Sequence, residues 1–292
     1  MNKKIIIDWI LVIILSIIWG SSFILMKKSL INFSYIEVGT YRLIISLIIL
    51  VPFLPSAIKK FKKKHLVPIL TVGIIGTLLP AIFFAKSQLY VKSALAGMLN
   101  SLTPIFTLTI SVLIFKRSWN IYNLIGIIIS LLGTFILLKP SHIDYQNIKY
   151  TFLIILATLF YAISINTIRE KLKELRPIEI AAGSSCAASI LPFVYIFSSD
   201  VSLKINNIIQ NFTHFTYLIL LGLVCTSVAL ILFNKLIQRT SALFASTTTY
   251  LIPVFAIMWG LIDNEKLDIA ELMGISVILI GVYTMNRLNN KI

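Results

Sequence analysis

The stretch SALAGMLNSLTPIF, residues 93–106, returns later in the chain as SALFASTTTYLIPVF, residues 241–255. Both stretches begin with Ser-Ala-Leu, continue with several hydroxyl or amide side chains and reach a proline inside an otherwise apolar run. They align at a shift of 148 or 149 residues. Such self-similarity indicates a duplicated structural unit. We predict one copy at residues 1–140 and a second at residues 141–292.

The composition places this duplicated unit in a membrane. Of the 292 residues 58% are hydrophobic and only 13% are charged, and the mean hydropathy is +0.94, which excludes a water-soluble protein of this size. A bilayer core needs about 20 apolar residues per helix. The fold class is therefore predicted to be an all-α integral membrane protein with ten transmembrane helices, at residues 9–27, 35–55, 66–85, 93–115, 121–138, 150–168, 178–198, 216–234, 241–262 and 270–286.

Five helices per copy have a geometric consequence. Because five is odd, the second copy enters the bilayer from the opposite side, so the copies are predicted to be inverted repeats. A shift of 142 residues places Trp19 on Tyr161 and Ser22 on Ser164, so an aromatic ring and a hydroxyl come to matching depths from both sides. Inverted repeats are the usual architecture of secondary transporters, whose substrate site lies near the midplane.

The formal charge of +15 follows the topology rather than a nucleic-acid surface. With the N-terminus inside, 17 of the 26 lysines and arginines fall in inner segments and eight in outer ones, as the positive-inside rule requires. We therefore expect a multi-pass protein of the cell inner (plasma) membrane with both termini cytoplasmic. The run KKFKKK at 59–64 is interpreted as a topology anchor beside anionic membrane lipid, and no nucleic-acid partner is expected.

Particular motifs, taken together, resemble a known family. They are WGSSF at 19–23 followed by Lys27, Arg42 early in the second span, the paired SAL…P helices, and Glu265 before LMGISVILIG. In order, spacing and duplication they resemble the EamA-type branch of the drug/metabolite transporter superfamily, over nearly the whole chain.

That resemblance implies ten helices, cytoplasmic termini, a central cavity built by both repeats, and export or uptake of small metabolites, often amino acids or their derivatives. The sequence departs from the family at one place. Members commonly carry a glutamate after the fourth helix, as Glu265 stands after the ninth, whereas here Lys116 and Arg117 occupy that place. A role that needs two symmetric acidic residues is therefore not expected.

Polar side chains at depth in a span must face protein or a water-filled cavity. In the fourth span Asn100 and Thr103 lie on one helix face beside Pro104, and in the ninth Thr248 and Tyr250 precede Pro253. A proline frees the carbonyl one turn earlier for a ligand or a neighbouring helix. The substrate-binding residues predicted from these patterns are Trp19, Ser22, Arg42, Asn100, Thr103, Tyr161, Ser164, Thr248 and Tyr250, with Pro104 and Pro253 as kink or gating positions.

Charged groups within the spans are few. Arg42 lies about 10 Å into the second span at 1.5 Å per residue, where a cation needs a partner; a substrate carboxylate is one candidate, and snorkelling to the interface or capping of carbonyls is the other. Glu37 is the candidate for proton coupling, with a helix-end contact as its alternative. Asn166 and Asn234 are interpreted as packing groups.

The glycines at 126, 133, 274 and 281 allow close helix contact, either within the chain or in a homodimer. No catalytic, metal or cofactor site is predicted, because no motif for one is present. The leading prediction is a secondary transporter of a small metabolite, most simply an amino acid or derivative, by alternating access with export favoured. The alternatives are uptake or exchange of another metabolite, such as a nucleotide, cofactor-like compound or sugar, and, more distantly, a membrane-embedded lipid-modifying enzyme.

Overall fold

We describe the chain from a computed structural model that covers residues 3–91, 93–138, 148–198, 200–262 and 269–287. Over these ranges every regular element is a helix. The α-helices are α1 Lys3–Ser29, α2 Tyr35–Leu50, α3 Leu54–Lys60, α4 Lys63–Leu70, α5 Leu79–Ser87, α6 Ser93–Asn100, α7 Thr103–Leu113, α8 Ile121–Leu138, α9 Ile148–Lys171, α10 Pro177–Phe197, α11 Val201–Gln210, α12 Phe212–Gly222, α13 Ala229–Arg239, α14 Ala242–Ser246, α15 Thr248–Ile262 and α16 Ile269–Arg287.

The helices confirm the predicted all-α membrane architecture. Six helical stretches are long and apolar enough to cross a bilayer, namely Lys4–Ser29, Tyr35–Lys60, Lys63–Ser87, Lys149–Lys171, Pro177–Phe197 and Phe212–Arg239. Shorter apolar helices occupy the other four predicted spans, at Thr103–Leu113, Ile121–Ile136, Ala242–Phe255 and Met273–Met285. The protein is therefore a multi-pass membrane protein.

Two of the long stretches widen in the middle into π-helix. Thr71–Leu78 joins α4 to α5, and Leu223–Val228 joins α12 to α13. Two other spans are interrupted: α6 ends at Asn100 before α7 begins at Thr103, and α14 ends at Ser246 before α15 begins at Thr248. Backbone irregularity at membrane depth is tolerated only where it is buried in protein or lines a cavity.

Glycines let the helices approach to backbone contact. A Cβ added at Gly126 would lie 2.5 Å from Met285 Cβ and 2.8 Å from Gly281 O, and one at Gly133 would lie 2.9 Å from Gly274 O. Helices α8 and α16 therefore meet along these glycines, which is the intramolecular alternative of the sequence analysis. The tight contact leaves no room for a side chain on that face of α8.

Ion pairs join the two sequence halves at the face where α1 begins. Among the described residues a glutamate or aspartate of one half meets a lysine or arginine of the other five times: Lys60–Glu179 at 3.0 Å, Lys62–Glu174 at 3.8 Å, Lys64–Glu174 at 2.5 Å, Arg117–Glu170 at 2.6 Å and Asp8–Arg239 at 2.5 Å. Through Lys60 and Lys64 the run at residues 59–64 thus forms ion pairs with Glu179 and Glu174, in addition to any contact with lipid. The Lys64 ammonium hydrogen-bonds Glu174 and lowers the pKa of that carboxyl below its usual value.

Candidate functional site

A cavity of about 110 Å³ lies between the halves and is lined by the first four predicted spans and the sixth, eighth and ninth. It has room for several water molecules or one small solute. Seven of the nine residues predicted to bind substrate line it together: Trp19, Ser22, Arg42, Asn100, Thr103, Tyr161 and Ser164. The tertiary structure thus brings these seven residues from four spans to one place.

Arg42 supplies the positive charge of the cavity wall. Its Nε donates a 2.6 Å hydrogen bond to Thr226 Oγ1, and its Nη2 donates a longer one, 3.4 Å, to the Cys225 carbonyl. No carboxylate of the described ranges lies within ion-pair distance of the guanidinium. The cation is therefore held in place by neutral groups, without a counter-ion among the described residues.

The eighth span also orients the ring of Trp19. Trp19 Nε1 donates a 3.1 Å hydrogen bond to the same Cys225 carbonyl, and the ring packs edge-on against Phe233 with centroids 4.9 Å apart. An unmet indole N–H would be costly at this depth. One carbonyl of the eighth span thus accepts hydrogen bonds from both the first span and the second, and Trp19 lines the cavity.

Each of the two π-helices contains a threonine whose hydroxyl bonds a carbonyl one turn earlier. Thr77 Oγ1 donates to the Val72 carbonyl at 3.0 Å and Thr226 Oγ1 to the Leu221 carbonyl at 2.8 Å, each five residues back. A π-turn widens the helix and shifts the register of the side chains around it. Both threonines line the cavity.

These two threonines were not among the binding residues predicted from the sequence. The signal was present in the repeat: GIIGT at 73–77 and GLVCT at 222–226 share the spacing Gly-x-x-x-Thr at a shift of 149 residues. The same pattern marks two close contacts. A Cβ on Gly73 would lie 2.5 Å from Ser184 O, and one on Gly222 would lie 2.9 Å from Arg42 O, where Ser184 and Arg42 correspond at a shift of 142 residues.

At the broken fourth span the carbonyl freed by Pro104 is satisfied within the protein. The Asn100 carbonyl, four residues before the proline, accepts a 2.7 Å hydrogen bond from Thr103 Oγ1. In the ninth span the carbonyl four residues before Pro253, that of Thr249, accepts from Ser101 Oγ at 3.4 Å. The bond to the Thr249 carbonyl therefore ties the two broken helices together, whereas the Asn100 carbonyl is satisfied within its own span. The Asn100 and Thr103 residues line the cavity.

Two of the predicted binding residues do not line the cavity. Thr248 is buried and its hydroxyl donates to the Ala245 carbonyl at 2.8 Å, and Tyr250 packs in the apolar cluster with Ile278 and Val282. The reason is helical phase: Thr249 faces the cavity, and its sequence neighbours project about 100° to either side.

Glu37, the residue predicted for proton coupling, lies at a helix end. Glu37 closes a capping box at the start of α2: its carboxylate accepts the Ser34 backbone N–H at 2.8 Å, while Ser34 Oγ accepts the Glu37 N–H at 3.3 Å. This is the helix-end alternative of the sequence analysis, since a capping box satisfies two otherwise free donors. Glu265 lies outside the described residues.

Comparisons with known proteins agree with this architecture. The sequence profile described as the EamA-like transporter family matches the chain twice, at residues 7–139 and 148–287. An uncharacterized transporter of Archaeoglobus fulgidus is 25% identical over 281 residues, which is 96% of this chain and 98% of that protein. The uncharacterized transporter YoaV of Bacillus subtilis is 21% identical over 279 residues, 93% and 94% of the two chains.

A solved crystal structure has the same fold. It superposes with a TM-score of 0.75 over 97% of this chain and 98% of its own, at 11% sequence identity. The helical architecture, the cavity between the two halves and the double profile match lead to one conclusion. This chain is a membrane transporter that belongs to the EamA-like transporter family of the drug/metabolite transporter superfamily.

Proposed function

We propose that the protein is a secondary transporter that moves a small metabolite bearing a carboxylate, most simply an amino acid or derivative, through the cavity by alternating access. The observation that carries the proposal is Arg42, whose guanidinium lies in the cavity wall with only neutral hydrogen-bond partners. A buried cation without a counter-ion is costly. A carboxylate of the solute would offset that cost and gain a charge-assisted hydrogen bond.

We further propose that residues 1–140 and 141–292 are inverted repeats that rock against each other. The double profile match supports this division. So do the contacts of Gly73 and Gly222, each of which meets the second helix of the other half at corresponding carbonyls. The cross-half ion pairs at the face of α1 would then have to part whenever the cavity opens to that side.

Orientation, location and direction are proposed from the charge pattern. Because the ion-paired face carries the basic excess, we place it and both termini in the cytoplasm, with the protein in the inner (plasma) membrane. Export is the favoured direction. Uptake or exchange of a nucleotide, cofactor-like compound or sugar is the alternative. The matching family and the named relatives are described as transporters, which favours transport over lipid modification.

The test is counterflow of radiolabelled amino acids and their deaminated or N-acylated derivatives in proteoliposomes. We expect accumulation of at least one carboxylate, and a loss of its affinity of about 10- to 100-fold in Arg42→Gln, from the loss of a charged hydrogen bond. Lys204→Gln is the matched control, because Lys204 donates to the Tyr195 and Ile196 carbonyls of its own half and lies outside the cavity lining. Equal affinities in wild type, Arg42→Gln and Lys204→Gln would refute the assigned site.

Coupling is tested in the same vesicles. Glu37 is the candidate for a proton relay, although its carboxylate is engaged in the capping box. If the box is its whole role, Glu37→Gln transports with the wild-type pH profile. If Glu37 is the relay, that variant loses uptake driven by a pH gradient and keeps counterflow.

A further inference from the structure

Resting on the proposed function, we infer that Asn234 is a substrate-contacting residue, and that the preferred solute is a carboxylate with an apolar body and a neutral N–H or O–H donor at the far end. Nothing in the sequence pattern required this, because a lone amide near a helix end is usually a packing group. It rests on a buried oxygen of Asn234 that has no hydrogen-bond partner among the described residues and on the residues that line the cavity around it.

The Asn234 side chain is only 1% exposed and lines the cavity. Its Nδ2 donates a 3.3 Å hydrogen bond to the Pro177 carbonyl. Since a carbonyl only accepts, this bond fixes which way the amide points. The Oδ1 atom accepts no hydrogen bond from any described residue.

Asn166 shows what a packing amide looks like in the same fold. It is equally buried, at 1% exposure, and its Nδ2 donates to the Thr107 and Ala162 carbonyls at 3.1 and 3.0 Å. Unlike Asn234, it does not line the cavity. An unpaired buried acceptor is disfavoured, and in a transporter cavity a donor on the solute would satisfy Asn234.

Spacing along the eighth span sets the length of the solute. Arg42 is bonded to Thr226, and Asn234 lies eight residues further along the same span, about 12 Å at 1.5 Å per residue. With about 3 Å for a hydrogen bond at each end, the carboxylate and the distal donor of the solute would be separated by roughly 6–9 Å, allowing for the reach of the side chains. An α-ammonium group, adjacent to its carboxylate, is too close to reach Asn234.

Much of the cavity wall is apolar, and its described lining lacks an anion. The rings of Trp19 and Phe233 pack edge to face, and Leu230 and Ile165 are among the other apolar lining residues. In the described lining no aspartate or glutamate is present, so an ammonium group would lie near the Arg42 cation without an anionic partner. A neutral donor on an apolar body avoids that repulsion.

Four probes separate these features: 3-(4-hydroxyphenyl)propanoate, 3-phenylpropanoate, L-tyrosine and tyramine. We measure their inhibition of counterflow and their thermal shift of the purified protein. The expected order is 3-(4-hydroxyphenyl)propanoate tightest, 3-phenylpropanoate about 10-fold weaker because the Asn234 oxygen stays unpaired, L-tyrosine weaker again, and tyramine without effect. L-Tyrosine binding as well as or better than 3-(4-hydroxyphenyl)propanoate would overturn the argument against an α-ammonium group, and 3-phenylpropanoate binding as well as it would overturn the neutral-donor assignment.

Variants of Asn234 test whether this residue causes the difference in affinity between the two propanoates. In Asn234→Leu the two propanoates should bind equally, whereas Asn123→Ala should keep their ratio, because Asn123 is a buried amide that donates to the Met285 carbonyl away from the cavity. Should Asn234→Leu not fold, Asn234→Asp provides the readout: the added charge should raise the affinity for 6-aminohexanoate, whose ammonium is distal. No gain in a folded Asn234→Asp counts against the inference.

The outcomes also separate the two proposals. If both propanoates bind equally to wild type and Arg42→Gln abolishes both, the carboxylate site stands and the role of Asn234 is wrong. If no carboxylate binds or is transported at all, the proposed function itself is wrong. A 10-fold ratio that disappears in Asn234→Leu supports both.

Discussion

Alanine at Gly73 or Gly222 should destabilise the protein, and alanine at Gly97 should not. The reason is the distance from a new Cβ to its nearest neighbour. At Gly73 that atom would lie 2.5 Å from Ser184 O, and at Gly222 it would lie 2.6 Å from Ile45 Cβ. At Gly97 the nearest atom, of a proline ring, is 3.7 Å away.

The magnitude follows from these distances. Ordinary contact for a Cβ begins at 3.4 Å, so Gly73→Ala is 0.9 Å too close and Gly222→Ala 0.8 Å too close. Neither neighbour is the end of a flexible side chain, so helices must separate, at a cost of about 1–3 kcal/mol. Gly97→Ala meets no such obstacle and gains about 0.5–1 kcal/mol from the lower backbone entropy of alanine.

Thermal melting of the purified protein in detergent measures all three variants. A loss of 1–3 kcal/mol corresponds to a fall in melting temperature of about 2–10 °C, and Gly97→Ala should melt at or above the wild-type temperature. Similar falls at Gly73 and Gly222 would also support the proposed repeat symmetry, because the two glycines correspond at a shift of 149 residues. Unchanged melting of both Gly73→Ala and Gly222→Ala would refute the close-packing argument.

Further predictions concern the ion-paired face. Because the hydrogen bond from Lys64 lowers the pKa of Glu174 in the folded protein, its stabilising effect is present at neutral pH and is lost as pH falls through that lowered value. Melting temperature should therefore drop less between pH 6 and pH 3 in Glu174→Gln than in wild type; identical pH profiles would contradict this. Glu179 is fully buried and accepts hydrogen bonds from Arg176 besides its 3.0 Å contact with Lys60. Glu179→Ala should therefore lower the free energy of unfolding by about 1–3 kcal/mol. A wild-type melting curve for this variant would show that the carboxylate does not contribute to stability.

Some of the residues predicted from their polarity line the cavity and others do not. Trp19, Arg42 and Asn100 were predicted because a polar or amphipathic group in the middle of an apolar span is unusual in the sequence itself. Thr248 and Tyr250 were predicted for the same reason, yet the face of their helix that meets the cavity carries Thr249. Composition identifies a polar stretch, but the rotation of a helix about its axis depends on what packs against it.

Asn234 illustrates the same limit from the other side. Asn166 and Asn234 are alike in sequence, each a single amide within an apolar helix, and both are 1% exposed. The Asn166 amide nitrogen donates to two carbonyls away from the cavity, whereas Asn234 lines the cavity and its Oδ1 accepts no hydrogen bond from the described residues. Hydrogen-bond partners across helices are set by three-dimensional packing, so no periodicity in the sequence distinguishes the two.

By itself the sequence determined that the chain crosses a membrane repeatedly as helices, where the spans lie, and that two halves correspond, because the hydrophobic length of a bilayer and the requirement to satisfy every backbone group leave almost no other solution. Only the tertiary structure decided which faces meet. It placed the Arg42 guanidinium against Thr226 in the second π-helix and left the Asn234 amide oxygen, further along the same span, without a partner among the described residues. The bonds of Arg42 join residues 184 and 183 positions apart, and local sequence pattern carries no information about such contacts.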